Sequence, residues 1–214
     1  MIWDLPTRLF HWGFAACIIG AFFSGENGPI DAHEYFGLAA FGLIVFRIIW
    51  GFIGFQTARF AQFVLAPSPL LAYVKSIAAR HPHDVTDGHN PLGGLAVLAI
   101  LAIMGVMAVT GLWTGDDVFY DAPLTAAGIA PDLAGPMAAW HERLHFLVPL
   151  IVIVHIVAII AHRLWLKEKL VTRMVTGGAS QIVPSKRQTI TGLLLLALCV
   201  GGSLSLSFLT PVYS

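Results

Sequence analysis

Five apolar stretches, at about residues 8–25, 33–55, 92–114, 142–165 and 189–209, constrain this chain more than anything else in it. Each is close to the ~20 residues that a helix needs to cross the hydrocarbon layer of a bilayer. A segment in lipid must satisfy its own backbone hydrogen bonds, so stretches of this length read as transmembrane helices. Composition agrees: the 214 residues are 57% hydrophobic and only 11% charged, against about 25% charged in soluble domains. The fold class is therefore all-α integral membrane. A formal net charge of +0 argues against a nucleic-acid partner. Cys17 and Cys199 both sit inside apolar stretches and read as small buried residues, not as a disulfide or a metal pair. The start, Met1-Ile2-Trp3-Asp4, shows no basic region and no cleavage site, so the first stretch is expected to insert and stay.

The connecting segments carry less pattern. Asp4 and Pro6 suit the cap and first turn of the first helix. Within the loop between the second and third stretches, Pro69–Ile77 is mildly amphipathic and suits the membrane interface. Residues 115–140 are rich in Asp, Pro and Gly and read as an irregular cap with room for one short helix. Basic residues set the orientation. With the N-terminus inside, Arg8, Arg59, Lys75, Arg80, Arg163, Lys167, Lys169, Arg173, Lys186 and Arg187 all face the cytoplasm. Arg143 falls outside and Arg47 within the membrane. The outer loops then hold Glu26, Asp31, Glu34, Asp116, Asp117, Asp121, Asp132 and Glu142, an acidic face, and the C-terminus lies outside.

Histidines inside such stretches need a reason, because lipid penalises a polar ring. His141 and His155 are fourteen residues apart, nearly four turns, so an unbroken helix would put both on one face roughly 21 Å apart along its axis. By depth, His33 matches His141 at the outer side and His11 matches His155 toward the inner side. Two imidazole pairs at two depths suit two b-type haems, each iron taking an axial nitrogen from either side. Ala15, Gly37 and Ala40 lie one or two turns from these histidines and leave room for a flat ring, though small residues also suit plain helix packing. Arg47 shares the face of His33 one long step deeper. Either it meets a haem propionate, as Arg8 beside His11 would, or it snorkels to the interface. His145, one turn from His141, is the rival outer ligand. His162 reads as an interfacial ring, and His81 and His83 as loop residues; His89 is undecided between cap and site. Four histidines that merely hydrogen-bond between helices would satisfy the same pattern.

The opening Trp3-Asp4-Leu5-Pro6-Thr7-Arg8-Leu9-Phe10-His11-Trp12 resembles the start of bacterial cytochrome b561 and of the b-type cytochrome subunit of membrane nickel-iron hydrogenases. Gly88-His89-Asn90-Pro91-Leu92, Thr110-Gly111 and His141-Glu142 followed by His155 are similar too. So are Leu166-Lys167-Glu168-Lys169-Leu170-Val171 and Met174-Val175-Thr176-Gly177, and the likeness covers about residues 3–177. It implies a four-helix dihaem domain over residues 1–177, with 178–214 as an additional C-terminal transmembrane helix. It also implies axial iron ligands at His11, His33, His141 and His155, paired His11/His155 and His33/His141.

The expected function is that of a dihaem b-type cytochrome carrying electrons across a bacterial inner membrane in a respiratory chain. It would link the quinone pool to a redox partner, with two haem b as cofactors and quinone as substrate. An acidic outer face suits a basic periplasmic c-type cytochrome. His89, Asn90 and Arg59 at the inner side, or Trp140 and Glu142 at the outer side, are candidates for the quinone pocket. Other readings are a haem-bearing membrane anchor of a larger, hydrogenase-like oxidoreductase, and a superoxide:quinone oxidoreductase. The latter would need a positive outer funnel, which the acidic loops do not offer. A transporter with structural histidines would show broken helices and paired repeats, and none is evident. The partners so implied are the bilayer, quinone or quinol, a c-type cytochrome or larger subunit, and, in a homodimer, a second copy of the chain.

Overall fold

A computed structural model describes residues 2–63, 75, 91–115, 120–179 and 182–210. The interfacial segment Pro69–Ile77 (apart from Lys75), His81, His83, His89, Asn90, Asp116, Asp117 and the extreme C-terminus lie outside the described residues. The chain is helical, with α1 (Leu5–Asn27), α2 (Ile30–Ile53), α3 (Pro91–Gly111), α4 (Pro123–Ala126), α5 (Ala134–Leu144), α6 (Leu147–Trp165), α7 (Leu170–Thr176) and α8 (Lys186–Leu204). Short 3-10 turns follow α2 and α8. Among the described residues there is no strand, and one isolated bridge joins Gly115 to Asp121. Five helical spans are long and apolar enough to cross a membrane, with Pro131–Trp165 counted as one of them. Their faces leave Ile153, Val154, Ile156, Val157 and Ile160 exposed, as lipid-facing positions require.

Two compact units divide the chain, each drawing on several of these helices. The first comprises Met1–Leu9, Arg47–Ile100 and Ile151–Leu194. Asp4 caps α1 as its sequence position suggests: Oδ1 accepts from the Thr7 amide at 3.2 Å. Its Oδ2 accepts from Trp50 Nε1 at 2.9 Å, with both side chains buried. One carboxylate thus satisfies a helix start and an indole together. The Thr57 hydroxyl donates to the Ile2 carbonyl, and the Trp3 amide donates to Gly177 O at 2.9 Å. A β-carbon at Gly192 would lie 2.5 Å from Pro6 and 2.8 Å from Trp50, so α8 packs tightly there.

The second unit comprises Phe10–Phe46, Leu101–Leu150 and Leu195–Ser214. Its core holds Phe10, Phe14, Leu38, Leu43, Ile44, Phe46 and Met104. Phe10 stacks on Phe14 at 5.4 Å between ring centres. At Gly42 of α2 a β-carbon would meet Ser203 Oγ at 2.3 Å and the Cys199 carbonyl at 2.6 Å. Only glycine lets α8 approach so closely.

One expectation changes here. Residues 120–140 hold more helix than the one short piece expected: α4, a 3-10 turn at Pro131–Leu133 and the first turns of α5. Backbone bonds tie this segment together, Ala122 N to Thr114 O at 2.8 Å and Leu124 N to Leu112 O at 3.0 Å. The fourth apolar stretch forms most of the single span Pro131–Trp165. It is interrupted at His145-Phe146, between α5 and α6. Pro149 supplies the cause: it has no N–H to give His145 O, and its ring crowds that carbonyl. His145 O instead accepts from Val148 N at 3.1 Å, the tighter 3-10 pattern.

Candidate functional site

Within the second unit, His33 of α2 and His141 of α5 come together. Their ring centres are 6.0 Å apart with planes at 88°. Each ring is held through Nδ1 by a backbone carbonyl of a third element. His33 Nδ1 lies 2.8 Å from Ala21 O, and His141 Nδ1 lies 2.9 Å from Met107 O. A carbonyl only accepts, so Nδ1 carries the proton on both rings. Nε2 is then the nitrogen with a free lone pair on each, the tautomer that a metal-ligating histidine with an outer hydrogen bond adopts. Thr110 Oγ1 supports His141 Nδ1 at 3.2 Å, while its own hydroxyl proton is spent on Val106 O at 2.8 Å.

Glycines make room for these rings. A β-carbon at Gly25 would sit 2.8 Å from His33 Nδ1, and one at Gly111 would sit 3.1 Å from His141 Cε1. Both imidazoles line a cavity of about 310 Å³ that also takes in Gly37, Ala40, Met104, Met107 and His145. Such a volume is at the lower end of ordinary ligand sites, ~300–1,000 Å³. A β-carbon at Gly37 would meet nothing within 4 Å.

A match over most of the sequence decides the family: the family model for prokaryotic cytochrome b561 covers residues 2–177. The chain belongs to that family. No curated protein and no solved structure matches it. As a cytochrome b561 with five apolar spans, it is a multi-pass bacterial membrane protein that binds b-type haem and takes part in membrane electron transfer. Among the described residues, no group of three or more His, Cys, Asp or Glu side chains is assembled as a bare metal ion would need; a haem asks only for axial pairs.

The other predicted residues of this cytochrome b561 fall as follows. His11 belongs to the second unit and His155 to the first. His11 meets Trp12 edge-on at 4.9 Å. His155 is half-buried on α6. Arg47, in the first unit, is 2% exposed, so it does not snorkel. Its guanidinium lies 4.8 Å from the Phe60 ring centre and 6.0 Å from that of Phe63. Nη1 and Nη2 have no hydrogen-bond partner among the described residues. Arg8 donates through Nη2 to the Val175 carbonyl, while its Nε has no partner among the described residues.

His145, the rival to His141, has other engagements. Its Nε2 is 3.0 Å from Glu26 Oε1, and its ring lies parallel to Phe22 at 5.4 Å. His162 Nδ1 bonds Glu168 Oε2 at 2.9 Å, as an interfacial ring can.

Sequence reasoning missed the fate of Glu34. It was expected in an acidic outer loop, but it is 9% exposed on α2. Tyr120 bonds it, and the Thr210 hydroxyl, whose one proton is shared with Ser207 O at 2.6 Å, reaches its Oε1 at 3.3 Å. Burial, and then the Glu34 charge, push the Tyr120 phenol far above its ordinary value. The available signal was its place: a carboxylate beside His33 at the start of a 24-residue apolar helix needs a partner.

Proposed function

We propose that this chain is a dihaem b-type cytochrome that conducts electrons across the membrane, between the quinone pool and a redox partner such as a periplasmic c-type cytochrome. The observation that carries the reading is the His33/His141 pair. Two imidazoles from different helices have Nδ1 bonded to carbonyls and Nε2 left over, beside a cavity with open space at Gly37. Their ring centres lie 6.0 Å apart, and both rings offer Nε2 as the donor a haem iron would take. These residues fit a haem. The second pair, His11 with His155, rests on matched depth in the sequence and on the family match.

Haem supplies the one-electron chemistry when bound. The chain holds the rings through Ala21 O and Met107 O and excludes water with apolar helices, two of the means by which a protein sets haem potential. Arg47 offers a buried guanidinium with two nitrogens unpartnered among the described residues, which suits an anionic propionate. Arg8 is the corresponding candidate beside His11. Basic residues on one side of the spans support a cytoplasmic N-terminus and a periplasmic C-terminus. In this reading residues 178–214 add a helix to a domain spanning 1–177, a division supported by a family match over residues 2–177.

A pyridine haemochrome assay on the purified chain tests this. About two b haems per chain with a sharp low-spin reduced band is the expected result. One haem would remove one pair, and none in a folded preparation would remove the electron-transfer site altogether.

A further inference from the structure

His145 and Glu26 are not used by the haem reading, yet both line the same cavity as His33 and His141. The His145 Nε2 contact at 3.0 Å to Glu26 Oε1 is that of an imidazole N–H donating to a carboxylate. This sets the tautomer in the neutral ring. Nδ1 is then an unprotonated acceptor, and it has no hydrogen-bond partner among the described residues. Phe22 fixes the plane of the ring by stacking at 3°. The pair is not sealed in the core, because the two side chains are 44% and 45% exposed. A carboxylate that orients an imidazole, whose other nitrogen is open to a ligand, is the arrangement of a general base.

From this placement we infer that His145 and Glu26 form a quinol-oxidation site at the edge of the His33/His141 cavity. His145 Nδ1 takes the proton from a quinol hydroxyl, and Glu26 holds the ring and stabilises the imidazolium. The inference rests on the quinone reading above and gives it a place.

The balance is as follows. A quinol loses two protons and two electrons to become a quinone. In each half, one O–H bond breaks, its proton passes to the Nδ1 lone pair and then to water, and one electron would pass to a haem held by His33 and His141. Such a haem would supply the one-electron chemistry and hand each electron to the chain's onward redox partner, of the c-type cytochrome class. Phe22 offers an aromatic wall for a flat ring of the substrate's kind.

Rapid mixing separates the proton step from electron transfer as such. Oxidised holoprotein is mixed with a short-chain benzoquinol, with a naphthoquinol, and with hexaammineruthenium(II), which gives an electron and no proton. His145→Gln should slow reduction by quinol about 100-fold, within the range for loss of a general base. It should leave the ruthenium rate and the haem content unchanged. Glu26→Gln keeps an acceptor but removes the charge, and should slow the quinol step by less than His145→Gln does.

If neither quinol reduces the wild type while ruthenium does, the quinone reading fails and the site with it. Quinol reduction that is equally fast in wild type and both variants overturns the site alone. Equal slowing with all reductants, or loss of a haem from His145→Gln, also overturns it, because His145 would then set potential or ligate iron.

Discussion

Gly25→Ala separates the stability of the fold from the integrity of its site. The new β-carbon would sit 2.8 Å from His33 Nδ1 and 3.0 Å from Cε1. Ordinary contact needs about 3.4 Å or more, so the ring has to retreat by about 0.6 Å, and the 2.8 Å bond to Ala21 O lies in its way. Losing that bond costs about 0.5–1.5 kcal/mol, and an off-rotamer χ costs about 0.5–1.5 kcal/mol. Alanine inside a helix returns about 1 kcal/mol relative to glycine. The net change in folding is therefore small, within about 2 kcal/mol. Haem binding has no such offset, since the displaced imidazole no longer has its tautomer held. The expected outcome is a folded protein carrying about one haem in place of two, by haemochrome assay against protein concentration. Gly105→Ala is the control: its β-carbon meets nothing within 4 Å, so it should keep both haems and gain helix stability. Full haem content and an unchanged low-spin spectrum in Gly25→Ala would refute the placement of His33 as a ligand held through Nδ1.

Asp4→Ala removes the α1 cap and leaves Trp50 Nε1 buried without its acceptor. A cap is worth about 1 kcal/mol and a hydrogen bond to a charged acceptor about 1.5–3 kcal/mol, so the loss should be about 3 kcal/mol, read by SDS-induced unfolding in detergent. Gly42→Ala forces a β-carbon toward Ser203 Oγ and the Cys199 carbonyl; overpacking of this kind costs about 1–3 kcal/mol, and the same titration should show it. Tyr120 is protonated more firmly in the fold than in the unfolded chain. Its contribution is fully present below the unfolded value of about 10 and is lost as pH rises above it. Tyr120→Phe should flatten this alkaline loss of stability, as followed by absorbance of the bound haem.

The spans and the His33/His141 pair were legible because each follows from a strong, local rule. A polar ring in an apolar run must face something, and depth along antiparallel spans matches partners. What was not legible depends on single residues whose effect is non-local. Pro149 shifts the bonding to a 3-10 turn at His145, four residues earlier, within a run read only for hydrophobicity. Glu34 looked like an outer-loop acid because its charge was counted before its place at the start of α2 was weighed. Ala21 O and Met107 O hold the two imidazoles through main-chain atoms, to which sequence patterns are blind. Gly111 left a trace, since Thr110-Gly111 stood out as a motif, but its purpose shows only against the ring of His141.

The C-terminal segment lies beyond the family match, yet within the second unit it grips the helix that carries His33 at two points. Ser203 and the Cys199 carbonyl press on Gly42, and Thr210 reaches Glu34, the neighbour of His33 in sequence. Removing residues 182–214 would therefore do more than delete a lipid-facing span. Gly42 would be left as a bare notch in α2, and Glu34 would retain Tyr120 but lose the hydroxyl donor at 3.3 Å. A buried carboxylate short of one donor costs about 1–3 kcal/mol, and it sits one residue from an imidazole whose position matters to a few tenths of an ångström. The truncated chain should insert, and its His33/His141 haem should show a shifted potential or partial loss in a redox titration. Two unshifted potentials at full occupancy would mean that α8 serves a surface role only, and that its contact with α2 does nothing for the site.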